Sequence, residues 1–182
     1  MKKVKVLLAA LLSVTVVLGT VVPTQAASST VDIEVKATDM DNVSVTVPSS
    51  IPIVFNADGS NTLPTNWTIE NKSAIAGIHL SKIEMNAGTS GWKLLGSSAN
   101  VKEMTVNTKS IRFSLGLEGD LRLVTPTNGN EDATGSITYE KTDMVLSSGE
   151  SKNIVFNVER GAFTNSEASA KAFDMVLTFN FN

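Results

Sequence analysis

Three observations predict an all-β fold, an antiparallel β-sandwich of jelly-roll or immunoglobulin-like type with one short helix at most. Ser, Thr and Asn supply roughly 30% of residues 27–182, and short apolar runs are separated by Gly, Asn, Asp and Ser turns. Many of those runs alternate apolar and polar residues, the period of a strand with one buried and one wet face. Aromatic residues are only 5% of the chain, with a single Tyr and two Trp. A membrane barrel would need aromatic girdles and strands of about ten residues, so a sandwich is the better reading.

The first 26 residues read as a cleaved secretory leader. Met1-Lys2-Lys3-Val4-Lys5 is a basic start, Val6 to Val22 is apolar apart from Ser13, Thr15, Gly19 and Thr20, and Pro23-Thr24-Gln25-Ala26 closes the segment with a breaker and a small residue. Nothing after it approaches the ~20 apolar residues of a bilayer span. Residues 27–182 then form one domain, of a size that supports a single core. Three of the 15 basic residues and none of the 18 acidic ones lie in the leader, so the exported part carries 12 against 18, a net charge of −6 where the whole chain has −3. An acidic domain argues against nucleic acid as a partner, because that affinity comes largely from Lys and Arg on phosphates. The absence of cysteine excludes disulfides, thiolate metal sites, iron–sulfur clusters, cysteine nucleophiles and lipidation at a processed cysteine.

Along the chain, Val31, Ile33 and Val35 alternate with Asp32, Glu34 and Lys36 in a first strand. Polar Thr38 to Asn42 separates it from Val43 to Val47, which stops at Pro48. Ile51 to Phe55 reads as an edge or bulged strand, since Pro52 has no N–H for a ladder. Asn56 to Ser60 is a turn, and Trp67 to Ile69 resumes the extended chain. In Ile78 to Met85 the apolar parity switches, with Ile78 and Leu80 on one phase and Ile83 and Met85 on the other. Only an inserted residue lets both pairs enter one face, which places a bulge near Ser81-Lys82. Further strands are expected at Trp92–Leu95, Met104–Asn107, Ile111–Leu117, Leu121–Val124, Ile137–Tyr139, Met144–Leu146 and Ile154–Val158. Ser166 to Ala172 has the only helical composition. The last strand puts Phe173, Met175, Leu177, Phe179 and Phe181 on one face.

Candidate chemical groups are few. His79 is the only histidine, and its parity, opposite to Ile78 and Leu80, predicts a surface position without partners for a triad or zinc site. The close carboxylates Asp32/Glu34, Asp39/Asp41, Glu118/Asp120 and Glu131/Asp132 sit on wet strand faces or turns and lack the aromatic setting of a glycosidase. Asn128, Asn130 and Asp132 alternate oxygen ligands as calcium loops do, and Asn56, Asp58 and Ser60 form a second such loop. Neither loop has the Gly and terminal acid of an EF-hand. Trp67, Trp92 and Tyr139 are the rings available to stack on a sugar, against the alternative that they pack in the core. Asn42, Asn66 and Asn71 head glycosylation triplets. No catalytic set and no cofactor site emerges, so the chain is expected not to be an enzyme.

Val43-Ser44-Val45-Thr46-Val47-Pro48, Pro52-Ile53 and Asn56-Ala57-Asp58-Gly59, followed by Gly91-Trp92-Lys93-Leu94 and Val106-Asn107-Thr108-Lys109, resemble secreted β-sandwich surface proteins of Gram-positive bacteria. The shared pattern is VxVTVPxxxPIxxNADG with a later GWxL strand. There is also a general similarity to camelysin-type biofilm-fibre proteins and WxL-domain proteins. The resemblance implies an exported, cell-surface sandwich with a structural or adhesive role.

The expected function is a non-enzymatic extracellular subunit of a surface layer, biofilm matrix or pilus-like fibre. Residues 27–37 would serve as an exchangeable strand carrying Val31, Ile33 and Val35 into a neighbouring copy or another surface protein. The alternatives are that this strand packs within its own chain, and that the protein is an adhesin or carbohydrate-binding module using Trp67, Trp92 or Tyr139.

Overall fold

Among the described residues, fifteen strands, numbered in chain order, build two sheets. In the first sheet the order is β10 (Thr125–Pro126), β12 (Thr134–Thr138), β6 (Ile78–Ala87), β15 (Ala170–Phe181), β1 (Ser29–Ala37), β3 (Ser50–Phe55) and β4 (Asn61–Thr62), with β13 (Val145–Leu146) also on β6. The second runs β11 (Glu131–Asp132), β7 (Lys93–Leu95), β8 (Ser110–Leu117), β14 (Ser151–Arg160), β5 (Trp67–Asn71) and β2 (Val45–Thr46), with β9 (Asp120–Leu123) on β8. The computed structural model describes residues 29–37, 44–56, 58–74, 76–164 and 170–182. The leader, the 38–42 separator and residues 166–169 of the expected helix lie outside them.

The sheets face each other over one continuous cluster of buried side chains, the layering of a β-sandwich. Period-two alternation selects that cluster. Ile111, Phe113 and Leu115 of β8, Ile154 and Val158 of β14, and Phe173, Met175, Leu177 and Phe179 of β15 all point inward. Phe156 is only half-buried, edge-on to Trp67 at 5.5 Å and stacked on Phe113 at 5.9 Å. At one contact between the layers, β12 carries Gly135. A Cβ there would stand 2.7 Å from both Leu94 Cδ1 and the Thr125 carbonyl oxygen.

The parity switch in β6 has the expected cause. Thr178 pairs with Lys82 and Phe179 with Leu80, so Ser81 is the extra residue, and its hydroxyl donates to the Thr178 carbonyl at 3.0 Å. The bulge lets Ile78, Leu80, Ile83 and Met85 all reach the core. Pro52 also lies where its chemistry allows. Val35 N–H donates to the Ser49 carbonyl, and hydrogen-bonding alternates along an antiparallel pair, so Pro52 opposite Asp32 turns its ring nitrogen away from β1. On that outer rim of β3, β4 pairs with Val54 and Phe55.

Several expectations need correction. Two ladders are parallel rather than antiparallel, β1 with β15 and β7 with β8. Met104 to Asn107 is not a strand. It follows a 3₁₀ turn at Val101–Glu103, and Asn107 has φ 66°, where its side chain bonds both Thr164 N–H and Thr164 Oγ1. Ala170, Lys171 and Ala172 belong to β15, not to a helix. Phe181 shares the phase of Phe179 but overshoots β1 and is 54% exposed.

Two constructions tie the sheets together at opposite ends. At one end Arg160 of β14 lies over Phe55 of β3 (4.7 Å) and over Phe163 (5.4 Å), while Phe163 stacks on Trp92. At the other end Asn71 of β5 is fully buried. Its Nδ2 donates to the carbonyls of Ala76, Leu146 and Ser147, and its Oδ1 accepts from Ser73 N–H. Removing those partners strands several buried polar groups. Asn71→Ala should therefore lower unfolding free energy by about 2–3 kcal/mol, read as a drop in urea midpoint at unchanged slope. A loss under about 0.5 kcal/mol would show that Asn71 does not tie the sheets.

Candidate functional site

The candidate site is the slot that β1 fills. One edge of β1 runs parallel to β15, from Val31 beside Ala170 to Ala37 beside Leu177. Its other edge runs antiparallel to β3, from Ser29 beside Phe55 to Glu34 beside Ser50. The strand therefore sits inside the sheet, bonded on both sides. Val31, Ile33 and Val35 are buried among core residues of both sheets, each burial contributing about 1.5–3 kcal/mol relative to exposure. The expected alternation of this segment is observed, and in this structure it pairs within its own chain.

The rim of the slot explains two further residues. The β1–β15 register shifts between Asp32 and Ile33, where Lys171 and then Phe173 are the partners, so Ala172 is an inserted residue. Gly88 N–H donates to the Ala172 carbonyl at 2.7 Å, and a Cβ on Gly88 would meet the Lys171 carbonyl oxygen at 2.6 Å. Only glycine lets the chain pass there without a shift.

On the outer face, Lys171 Nζ lies 2.9 Å from both Glu34 Oε2 and Asp174 Oδ1, and Lys36 Nζ is 3.4 Å from Glu34 Oε1. The Lys171 hydrogen bond holds the Glu34 carboxyl below its ordinary value, and the same contact lifts the Lys171 ammonium. Exposed pairs of this kind add little stability, but they favour one register of β1. Asp32 has the opposite tendency, because burial raises its pKa.

The other candidate residues are dispersed. Trp67 and Trp92 are core residues, 3% and 2% exposed, with Trp67 Nε1 donating to the Ser50 carbonyl at 3.0 Å. Neither offers a ring face to a sugar. Tyr139 is buried beneath the Arg122 guanidinium, 4.8 Å from its ring centre, and burial pushes its hydroxyl up to about 12. His79 is 7% exposed, which corrects the expected surface position. It lies on β6 between Val145 of β13 and Asn180 of β15, where strands flank it on both sides. Among the described residues, the Nδ1 of His79 and the hydroxyl of Tyr139 have no hydrogen-bond partner.

Asp132 folds its carboxylate back into its own turn. Oδ2 accepts from Asn128 N–H and Nδ2 at 3.0 and 2.6 Å, and Oδ1 accepts from Ala133 N–H at 2.6 Å. Asn130 Oδ1 accepts from Ser98 Oγ. These oxygens serve turn geometry, the ordinary use of Asn and Asp. The Asn56–Ser60 turn behaves alike, with Asp58 accepting from Ser60 N–H and Oγ. Glu118 and Asp120 flank the β8–β9 turn, Asp120 pairing with Arg122. Among the described residues no three His, Asp or Glu side chains gather as a metal site requires. Asp39, Asp41 and Asn42 lie outside the described residues, Asn66 is exposed and Asn71 is buried.

Sequence reasoning overlooked Lys171, Arg122 and Arg160. Lys171 was masked by the helical composition around it. The two arginines gave no periodic signal, because their partners Asp143 and Phe55 come from other parts of the chain. No protein-family model matches the chain, and no curated protein or solved structure matches it. Nor is any helix among the described residues long and apolar enough to cross a membrane.

The electrostatics of β1 give a signed prediction. A carboxylate whose folded pKa is raised costs stability once pH exceeds its unfolded value, about 3.9, and that cost vanishes in acid. Asp32→Asn should raise the melting temperature at pH 7, and the gain should fade as pH falls through about 4. A melting temperature lowered at pH 7 would show that the Asp32 charge is held favourably.

Proposed function

We propose that this chain is a non-enzymatic extracellular structural subunit that assembles at a cell surface, in a matrix or in a fibre, by exchanging β1 between copies. The leader-like Met1–Ala26 and the VxVTVPxxxPIxxNADG resemblance support export and a surface role. The observation that carries the assembly step is the position of β1. It precedes every other strand of the sandwich, yet fills a slot bonded on both edges. It can leave without altering the order of β2 to β15, and a slot so vacated fits an identical strand from another copy.

A second feature supports exchange over edge-to-edge pairing. Each sheet ends in two-residue strands, β10 and β4 in the first, β11 and β2 in the second. Short edges of this kind blunt sheet extension. The carbohydrate-binding alternative loses its stacking groups, because Trp67, Trp92 and Tyr139 are all buried.

The test uses the absence of native cysteine. Glu34 and Asp174 are registered neighbours across β1 and β15, and Cα atoms about 4.8 Å apart suit a disulfide. A Glu34→Cys chain and an Asp174→Cys chain, refolded together and oxidised, should give a mixed-disulfide pair. A chain lacking residues 27–37 should form no assemblies. If the mixed disulfide is no more abundant than with Asp58→Cys in place of Asp174→Cys, strand exchange is wrong.

A further inference from the structure

We infer that β1 exchange is reciprocal and makes a two-fold pair, the building block of the larger assembly, in which the copies meet like end to like end where Phe181 projects and each covers that surface of the other. The inference rests on the strand-exchange reading, but its geometry comes from the fold. Strand β1 runs parallel to β15, so its Ala37 terminus points towards Phe181. Ala37 stands beside Leu177, and at about 3.3 Å per residue β15 extends roughly 13 Å beyond it.

The point where the chain re-enters the fold lies at the same end. The Ser44 carbonyl accepts from Lys72 N–H at 2.7 Å. Next to Lys72, Asn71 is bound to the Leu146 carbonyl, Leu146 pairs with Ile78, and Ile78 pairs with Phe181. Seven Cα–Cα steps separate Ala37 from Ser44, a maximum reach of about 25 Å. A β1 seated in another copy therefore holds its own Ser44 within about 25 Å of the Ala37 position in the acceptor's slot. The acceptor's β15 overhang occupies about half of that span. The donor's tether leaves from the donor's own Phe181 end, so that is the end it presents.

The chemistry of the surface suits a like-with-like contact. Phe181 is among the few large apolar side chains left exposed, with Leu121 on β9 and Val106 in the Asn107 turn. Glu70 pairs with Lys72 at 2.6 Å and Glu150 with Lys152 at 3.5 Å, so these four charges cancel where identical ends approach. The opposite end is closed by Arg160, Phe55, Trp92 and Phe163.

Single-cysteine variants of the full chain test this. Phe181→Cys, oxidised after assembly, should give at least about tenfold more disulfide-linked chain pairs than Asp58→Cys, which lies in the β3–β4 turn at the far end. Inserting ten Gly/Ser residues after Ala37 should cut the Phe181→Cys linkage several-fold while the Glu34→Cys/Asp174→Cys mixed disulfide persists. If the mixed disulfide forms but Phe181→Cys links no better than Asp58→Cys, or if the longer tether leaves its linkage unchanged, end-to-end contact is wrong. If no mixed disulfide forms at all, the strand-exchange reading fails first and this inference with it.

Discussion

Strand β1 divides the first sheet. On one side of it stand β15, β6, β12 and β10, and on the other β3 and β4. Without a strand in that slot, β15 and β3 would each present a row of backbone N–H and C=O groups beside an apolar trough. Such groups need partners, and a dry trough supplies none. The slot thus demands an extended segment with apolar side chains at alternate positions, and Val31, Ile33 and Val35 meet the demand. Neither sheet edge nor core can be completed without it.

The remaining structure conforms to this constraint. Strand β15 must keep Phe173 to Phe179 inward while pairing with both β1 and β6. It does so through an inserted residue on each side, Ala172 in its own strand and Ser81 in β6. The two ends of the sandwich are then closed by unlike devices. Rings and Arg160 close the end where β1 begins, and the Asn71 side chain with its three carbonyls closes the end where β1 stops. Charged groups elsewhere are spent on local geometry. Asp143 and Asp120 hold Arg122 over Tyr139, and Asp132 closes its own turn.

The sandwich was legible from composition and turn spacing, and most of the candidate strand was legible from the alternation of Val31 to Lys36. The bulge was legible too, because a parity switch inside an apolar run has one simple geometric solution. Other features were not. His79 was misplaced because parity names a face but does not say whether strands and loops bury that face. Met104 to Asn107 was misread because its two apolar residues match a strand, whereas Asn107 takes a left-handed conformation that its bonds to Thr164 stabilise. Phe181 kept its phase but lost its cover, since burial depends on what lies opposite.

What the sequence determined by itself is the inward face of each strand. Period-two alternation follows from the geometry of the extended chain, so it survives whatever the neighbours are. What only the tertiary structure decided is which strands are neighbours and in which direction they run. Backbone hydrogen bonds are made by groups every residue shares, so alternation carries no mark of the parallel pairing of β1 with β15. That pairing decides that β1 ends near Phe181 and not near Phe55, and it governs where a second copy would come to lie.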